Sequence, residues 1–213
     1  MAISRVKDWV NAEILSHTDL NAEFNNVTTQ LLPAATQNQV DTMSSLTVGL
    51  HPNHNKIIQG TAQASTSGTA ITFSSIPAGV RRITVHLSGV STGGTSNLLI
   101  RLGDSGGIES SAYLGACTTT ATATPSTTNF TTGVGLTSGV AAASVLHGAV
   151  VFTLMSESAF TWSAFGVIAY SNAATCGYTA AIKSLSAELT QISVTSVTPD
   201  TFDAGSINIS YER

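Results

Sequence analysis

From about Lys56 onward, apolar residues recur at every second position in short runs broken by turn residues, and this pattern restricts the fold more than any other. In TAITFSS, Ile71 and Phe73 alternate with polar neighbours. Ile83, Val85 and Leu87 then face one way, and Arg82, Thr84 and His86 the other. Between them SIPAGV reads as a turn, with Pro77 supplying a fixed φ and Gly79 closing it; STGGTS reads as the next turn. Further strands are expected around Leu98 to Leu102, Val145 to Met155, Phe160 to Tyr170, Thr175 to Leu185, Leu189 to Val194 and Ser206 to Tyr211. About ten short strands with no helix between them predict a mainly β body over residues 56–213, an antiparallel sandwich or jelly roll.

Two of these strands are apolar on both faces. Val150, Phe152 and Leu154 occupy one side of the first, opposite Ala149, Val151, Thr153 and Met155; Trp162 and Ile168 oppose Phe165 and Val167 in the second. An antiparallel sheet with one wet face normally alternates apolar and polar residues. Charged residues make up 9% of the chain, the net charge is -4, and no Asp, Glu, Lys or Arg lies between Ser110 and Ser156. So uncharged a surface invites association. The expectation is a subunit interface; the alternative is a pair of strands sunk inside one large domain.

Residues 1–55 are written differently. In SHTDLNAEFNNVTTQLLP, Leu20, Phe24, Val27 and Leu31 fall at spacings of four, three and four, which is one stripe on a helix. Ser16 with Asp19 fits a helix start, Thr18 and Asp19 are alternative caps, and Pro33 stops the run. A weaker helical pattern follows at Val40, Met43, Leu46 or Thr47, and Leu50. A short helix with one narrow apolar edge is marginal alone in water. It therefore needs its own small domain, copies of itself, or a larger assembly to lie against.

Several function classes find little footing. No basic stripe suits a phosphate backbone, so nucleic acid is not an expected partner. Arg5, Lys7 and Asp8 stand where a secretion signal needs an apolar run. The most apolar stretch, Gly139 to Met155, is interrupted by Ser144, His147 and Gly148, and no membrane insertion is expected. Cys117 and Cys176 read as two buried, reduced thiols. His51 and His54 in HPNHN lack further ligands nearby and read as part of a polar linker; a metal there would need copies meeting on a symmetry axis. No cofactor-binding motif and no paired carboxylates are found. Tyr113, Trp162, Tyr170 and Tyr178 are candidates for stacking on a ligand, although packing is the commoner role of such residues.

The segment RLGDSGGIE, Arg101 to Glu109, contains the GDSGG loop that carries the nucleophile of chymotrypsin-like proteases. That chemistry needs a His and an Asp upstream and two barrels of chain, and Ser105 stands at the midpoint of 213 residues. A hairpin explains more. Pivoting on Ser105 sets Leu102 opposite Ile108, Ile100 opposite Ser110, Leu98 opposite Ala112, and Arg101 opposite Glu109 as a cross-strand ion pair. Ser105 is therefore expected in a turn and the chain is not expected to be an enzyme.

Two segments resemble a known group of proteins. Trp9 to Asn26, with Asp19, Leu20, Asn21, Ala22, Glu23, Phe24, Asn25 and Asn26 in an unbroken D-L-N-A-E-F-N-N run, is similar to the N-terminal segment of many tailed-bacteriophage fibre-like proteins. Ile76 to Gly115 is similar to a domain recurring in phage tail and fibre proteins. The resemblance implies a homotrimeric, non-enzymatic virion protein assembled in the bacterial cytoplasm. Its arm, through Trp9, Leu20, Phe24, Val27 and Leu31, would bind other tail or capsid proteins and its own copies, and its β-body would project for host attachment. A head fibre, a capsid decoration protein, a tail adaptor and a module for host-surface glycan are the alternatives the resemblance leaves open.

Overall fold

The computed structural model describes residues 17, 18, 21, 22, 24, 25, 57–121 and 124–213, and the chain divides into two units, Met1–Asn55 and Lys56–Arg213. In the first unit His17, Thr18, Asn21, Ala22, Phe24 and Asn25 are helical, and Phe24 is exposed. Trp9, Leu20, Val27 and Leu31, the rest of the expected anchoring edge, lie outside the described residues, as do His51 and His54.

The second unit is built of strands: β1 (Ile58–Gln59), β2 (Gln63–Ala64), β3 (Ala70–Phe73), β4 (Arg82–Thr92), β5 (Leu98–Asp104), β6 (Gly107–Ile108), β7 (Leu114–Thr120), β8 (Ser126–Phe130), β9 (Val134–Gly135), β10 (Leu146–Ser156), β11 (Thr161–Tyr170), β12 (Thr175–Ser184), β13 (Gln191–Ser196) and β14 (Phe202–Glu212). They form two sheets. Nine strands make the larger, in the order β1-β14-β4-β10-β11-β12-β7-β8 with β2 also on β14; the smaller runs β3-β13-β5-β6 with β9 on β5. Every strand pair among the described residues is antiparallel, so the mainly β expectation holds.

Period two explains how the sheets meet. Ile83, Val85 and Leu87 of β4, Val150 and Phe152 of β10, and Trp162, Ala164 and Ile168 of β11 are buried in one cluster with Ile71 and Phe73 of β3, Ile100 and Leu102 of β5, and Ile192 and Val194 of β13. Each full burial of such a side chain contributes about 1.5 to 3 kcal/mol, which fixes the register because a slip of one residue would turn the whole row to water.

The long strands β4 and β14 bend where glycines permit it. Their pairing shifts register near Gly89 and Gly205, which take φ of 66° and 91°. A Cβ on Gly205 would collide with the Gly89 backbone, so only glycine allows the two chains to approach this closely. On the neighbouring strand the His147 ring accepts the Gly89 N–H through Nδ1 at 3.1 Å.

The hairpin read from GDSGG is present with a different register. Gly103 pairs with Ile108 and Asp104 with Gly107, so the pivot lies between Ser105 and Gly106. Arg101 therefore does not face Glu109. Its Nε donates to the Thr132 carbonyl at 2.9 Å, and Glu109 forms its ion pair with Lys183 of β12. The pairing ends after two residue pairs because β5 is claimed further along by β9, with Leu99 opposite Gly135 and Ile100 opposite Val134. The expected pairs of Leu98 with Ala112 and Ile100 with Ser110 are absent for that reason.

Candidate functional site

Among the described residues of the second unit, no strand packs on the outer face of the larger sheet. With Val150, Phe152, Trp162 and Ile168 pointing inward, the intervening residues point out, and the register aligns them across four strands. Val151, Phe165, Ala180 and Ala116 form one row; Ala149, Val167, Tyr178 and Thr118 form the next; Thr153, Ser163, Ile182 and Leu114 form the third. No charged residue occurs in the three rows. Leu114 is 74% exposed, Phe165 58%, Tyr178 50%, Val167 48% and Ile182 43%. Among the described residues of the second unit, the two-faced strands are thus covered on one side only.

Charge returns at the flank. Beyond β10 the same rows continue onto β4 and β14 as Thr84 with Ser210, His86 with Asn208, and Arg82 with Glu212. Arg82 and Glu212 form an exposed ion pair at 3.6 Å, and His86 Nε2 shares a hydrogen bond with Ser210 Oγ at 3.0 Å. At strand spacings of about 4.8 Å and residue rises of about 3.4 Å, the three uncharged rows span roughly 300 to 400 Å². That area is within the range found on monomers, and what makes the face a candidate interaction surface is that five large side chains stand exposed together with no charge among them. The full face of β4, β7 and the three long strands between them reaches roughly 700 to 800 Å², the share each partner contributes to a standard stable interface.

The aromatic candidates divide between interior and surface. Tyr113 is fully buried; its hydroxyl accepts the Leu102 N–H at 2.7 Å and donates to the Glu109 carbonyl at 3.1 Å, and burial pushes its pKa up to about 12. Tyr170 is buried with its hydroxyl donating to the Gly139 carbonyl at 3.4 Å, and burial raises its pKa as well. Neither offers a stacking plane. Trp162 lies in the core wall, and Tyr178 alone of the four sits on the exposed face.

Ser105 occupies an exposed turn, as its glycine neighbours imply. Asp104 beside it is buried and committed to structure: Oδ1 accepts the Gly106 N–H at 2.7 Å, Oδ2 accepts the Ser186 hydroxyl at 2.6 Å, and its carbonyl accepts Gln191 Nε2 at 2.8 Å. His17, His86 and His147 each have a ring partner elsewhere. Cys117 is buried and Cys176 half-buried, and both are free; Cys117 points inward and Cys176 outward, so opposite faces keep them apart. The expectation of two buried thiols therefore holds for Cys117 alone. No three His, Cys, Asp or Glu cluster as a metal site among the described residues, and none of their helices is long and apolar enough to cross a membrane.

Sequence reading found the outward residues of β10 and β11 and missed their continuation onto β12 and β7. The signal was present as alternation in TCGYTAAIKS, where Tyr178, Ala180 and Ile182 share a face. No family model, no curated protein and no solved structure matches the chain.

Proposed function

We propose that this chain is a non-enzymatic structural protein of a phage virion: a short homotrimeric fibre, moored through its N-terminal arm, whose β-sandwich body projects from the particle for host attachment. The observation that supports this reading best is the uncharged part of the larger sheet's outer face on β7, β10, β11 and β12, where Leu114, Phe165, Val167, Tyr178 and Ile182 stand exposed in registered rows. Sister copies are the occupants such a surface suits, because a strand-built body with so little charge gains solubility by burying that face. The resemblance of Trp9 to Asn26 and of Ile76 to Gly115 to phage fibre-like proteins supplies the virion context.

Two measurements test it. Sedimentation velocity of the full-length protein is expected to give a trimer, and the double substitution Phe165→Glu with Tyr178→Glu is expected to give folded monomers. Wild-type chains sedimenting as monomers would refute assembly through this face. Deleting residues 1–55 is expected to leave a folded body that no longer joins particles; normal incorporation of that shortened chain would refute mooring by the arm.

A further inference from the structure

The outer face of the larger sheet is uneven. One of its rows runs Val151, Phe165, Ala180, Ala116 and Asn129 from β10 to β8, with its bulk at one end and its small residues towards the other. Phe165 is exposed and has only the methyl of Ala180 beside it on β12, so its ring projects. Further along the row the surface sinks into a recess of about 460 Å³. Leu114, Ala116, Asn129 and Thr131 line it, and Gly115, paired with Phe130, lies at its floor. Gly115 has no side chain and the Phe130 ring packs inward with Leu99 and Cys117, so the floor is backbone and the hollow opens outward.

Two features decide what fits there. None of the lining residues is charged, and exposed Leu114 supplies an apolar wall, so an apolar group is suited and an ionic one is not. The recess also belongs to the face whose area, roughly 700 to 800 Å², matches one partner's share of a standard interface. An occupant that covers this face must present an uncharged surface with a projecting apolar side chain. A second copy of the same face meets both conditions. On it Phe165 is the largest exposed side chain that ends in no polar atom, whereas Tyr178 would press a hydroxyl against Leu114 and Ala116. Phe165 cannot fill the recess of its own chain, which lies two to three strand spacings away, roughly 10 to 14 Å.

We propose that Phe165 of one copy seats in the recess between β7 and β8 of the next, and that three such contacts run head to tail around a closed ring. This rests on the trimeric reading given above and adds which part of the face meets which. A knob and a hollow at separate positions let each copy give to one neighbour and receive from another, the heterologous contact that closes when the rotation is a third of a turn.

The test links the two positions chemically while Phe165 stays in place. Full-length protein carrying Ser163→Cys beside the knob and Asn129→Cys at the recess is treated with a short bismaleimide, in a background where Cys176→Ser removes the half-buried thiol and Cys117 stays buried. Within one chain the two new thiols stand roughly 16 Å apart, beyond such a linker, so links form between copies. Covalent trimers are expected, and neither single-cysteine variant is expected to give them. Ala116→Trp, which fills the hollow from an outward position, is expected to leave folded chains unassembled. Phe165→Ala is expected to raise the concentration for half-assembly at least about tenfold. Unlinked chains that still sediment as trimers, or trimers formed by Ala116→Trp, would overturn the contact and leave the trimeric reading standing. Linked dimers alone would overturn the ring, and the trimer with it. Wild-type chains that stay monomeric would overturn both.

Discussion

Substituting Glu109 by Gln is expected to destabilise the body much more than substituting Lys183 by Met, although both changes break the same ion pair. Lys183 points inward from β12 with a side chain 4% exposed, and its ammonium has Glu109 as its counter-charge and the Tyr113 ring centroid at 5.2 Å. In Glu109→Gln the cation stays buried facing a neutral amide and a ring. Breaking a buried pair in this way costs about 3 to 5 kcal/mol. Since the Glu109 side chain is 24% exposed, water reaches the pair and the lower end, about 3 kcal/mol, is expected. In Lys183→Met the group left behind is Glu109, which still accepts the Ser186 N–H at 3.0 Å and touches solvent, while Met refills the space of the methylene stem. That change should cost about 1 kcal/mol. The double variant removes the stranded cation and should resemble Lys183→Met alone, a coupling of about 3 kcal/mol. Urea unfolding at one fixed protein concentration measures all four proteins, with tryptophan fluorescence as the probe because Trp162 pairs directly with Lys183. Equal losses in the two single variants, or a double variant worse than Glu109→Gln, would refute the reasoning.

Two further outcomes rest on single groups. Burial pushes the Cys117 thiol up to about 11, whereas Cys176 is only half-buried; a thiol reagent at pH 8 should modify one cysteine per native chain and the second only after unfolding, and two equal rates would contradict this. Asp104 titrates below the ordinary carboxylate range, chiefly because the Ser186 hydroxyl and then the Gly106 N–H bond its ionised form. A depressed folded value means stability fully present above the ordinary range and lost as pH falls through the lowered one; Asp104→Asn should therefore flatten the acid limb of the stability curve below about pH 4, and parallel limbs would speak against it.

Legibility in the sequence followed side-chain size. Strands β4 and β14 alternate buried apolar residues with small or polar ones, and their faces could be read directly from Ile83, Val85, Ile207 and Ile209, whereas β10 and β11 are apolar on both sides and show their inward face only in the structure. Strands β7 and β8, LGACTTT and STTNF, alternate threonines with cysteine, alanine and asparagine, and carry no such contrast. Buried Cys117 and Phe130 show their inward side only once the register with β12 is known. The GDSGG turn was recognisable from its glycines, but its register depends on β9 competing for β5, a long-range event no local pattern encodes. The outer face was half legible: a missing-charge run pointed to β10, while its extension to Ile182 and Leu114 came from strand order. The recess between β7 and β8 was not legible, because Ala116 and Asn129 become neighbours only through strand pairing.

Strand β14 joins β1, β2 and β4, yet it leaves the ribosome after all the other strands of the described residues. Until it emerges, β4 offers a bare backbone edge and the opening strands have no template to lie on. Synthesis cut short before Phe202 would therefore yield a sticky, incomplete product rather than a smaller working version. Arrival of β14 and closure of the sheet are thereby one event, and a nascent body of this design is unready for stacking with its sisters until this eleven-residue strand has slotted home.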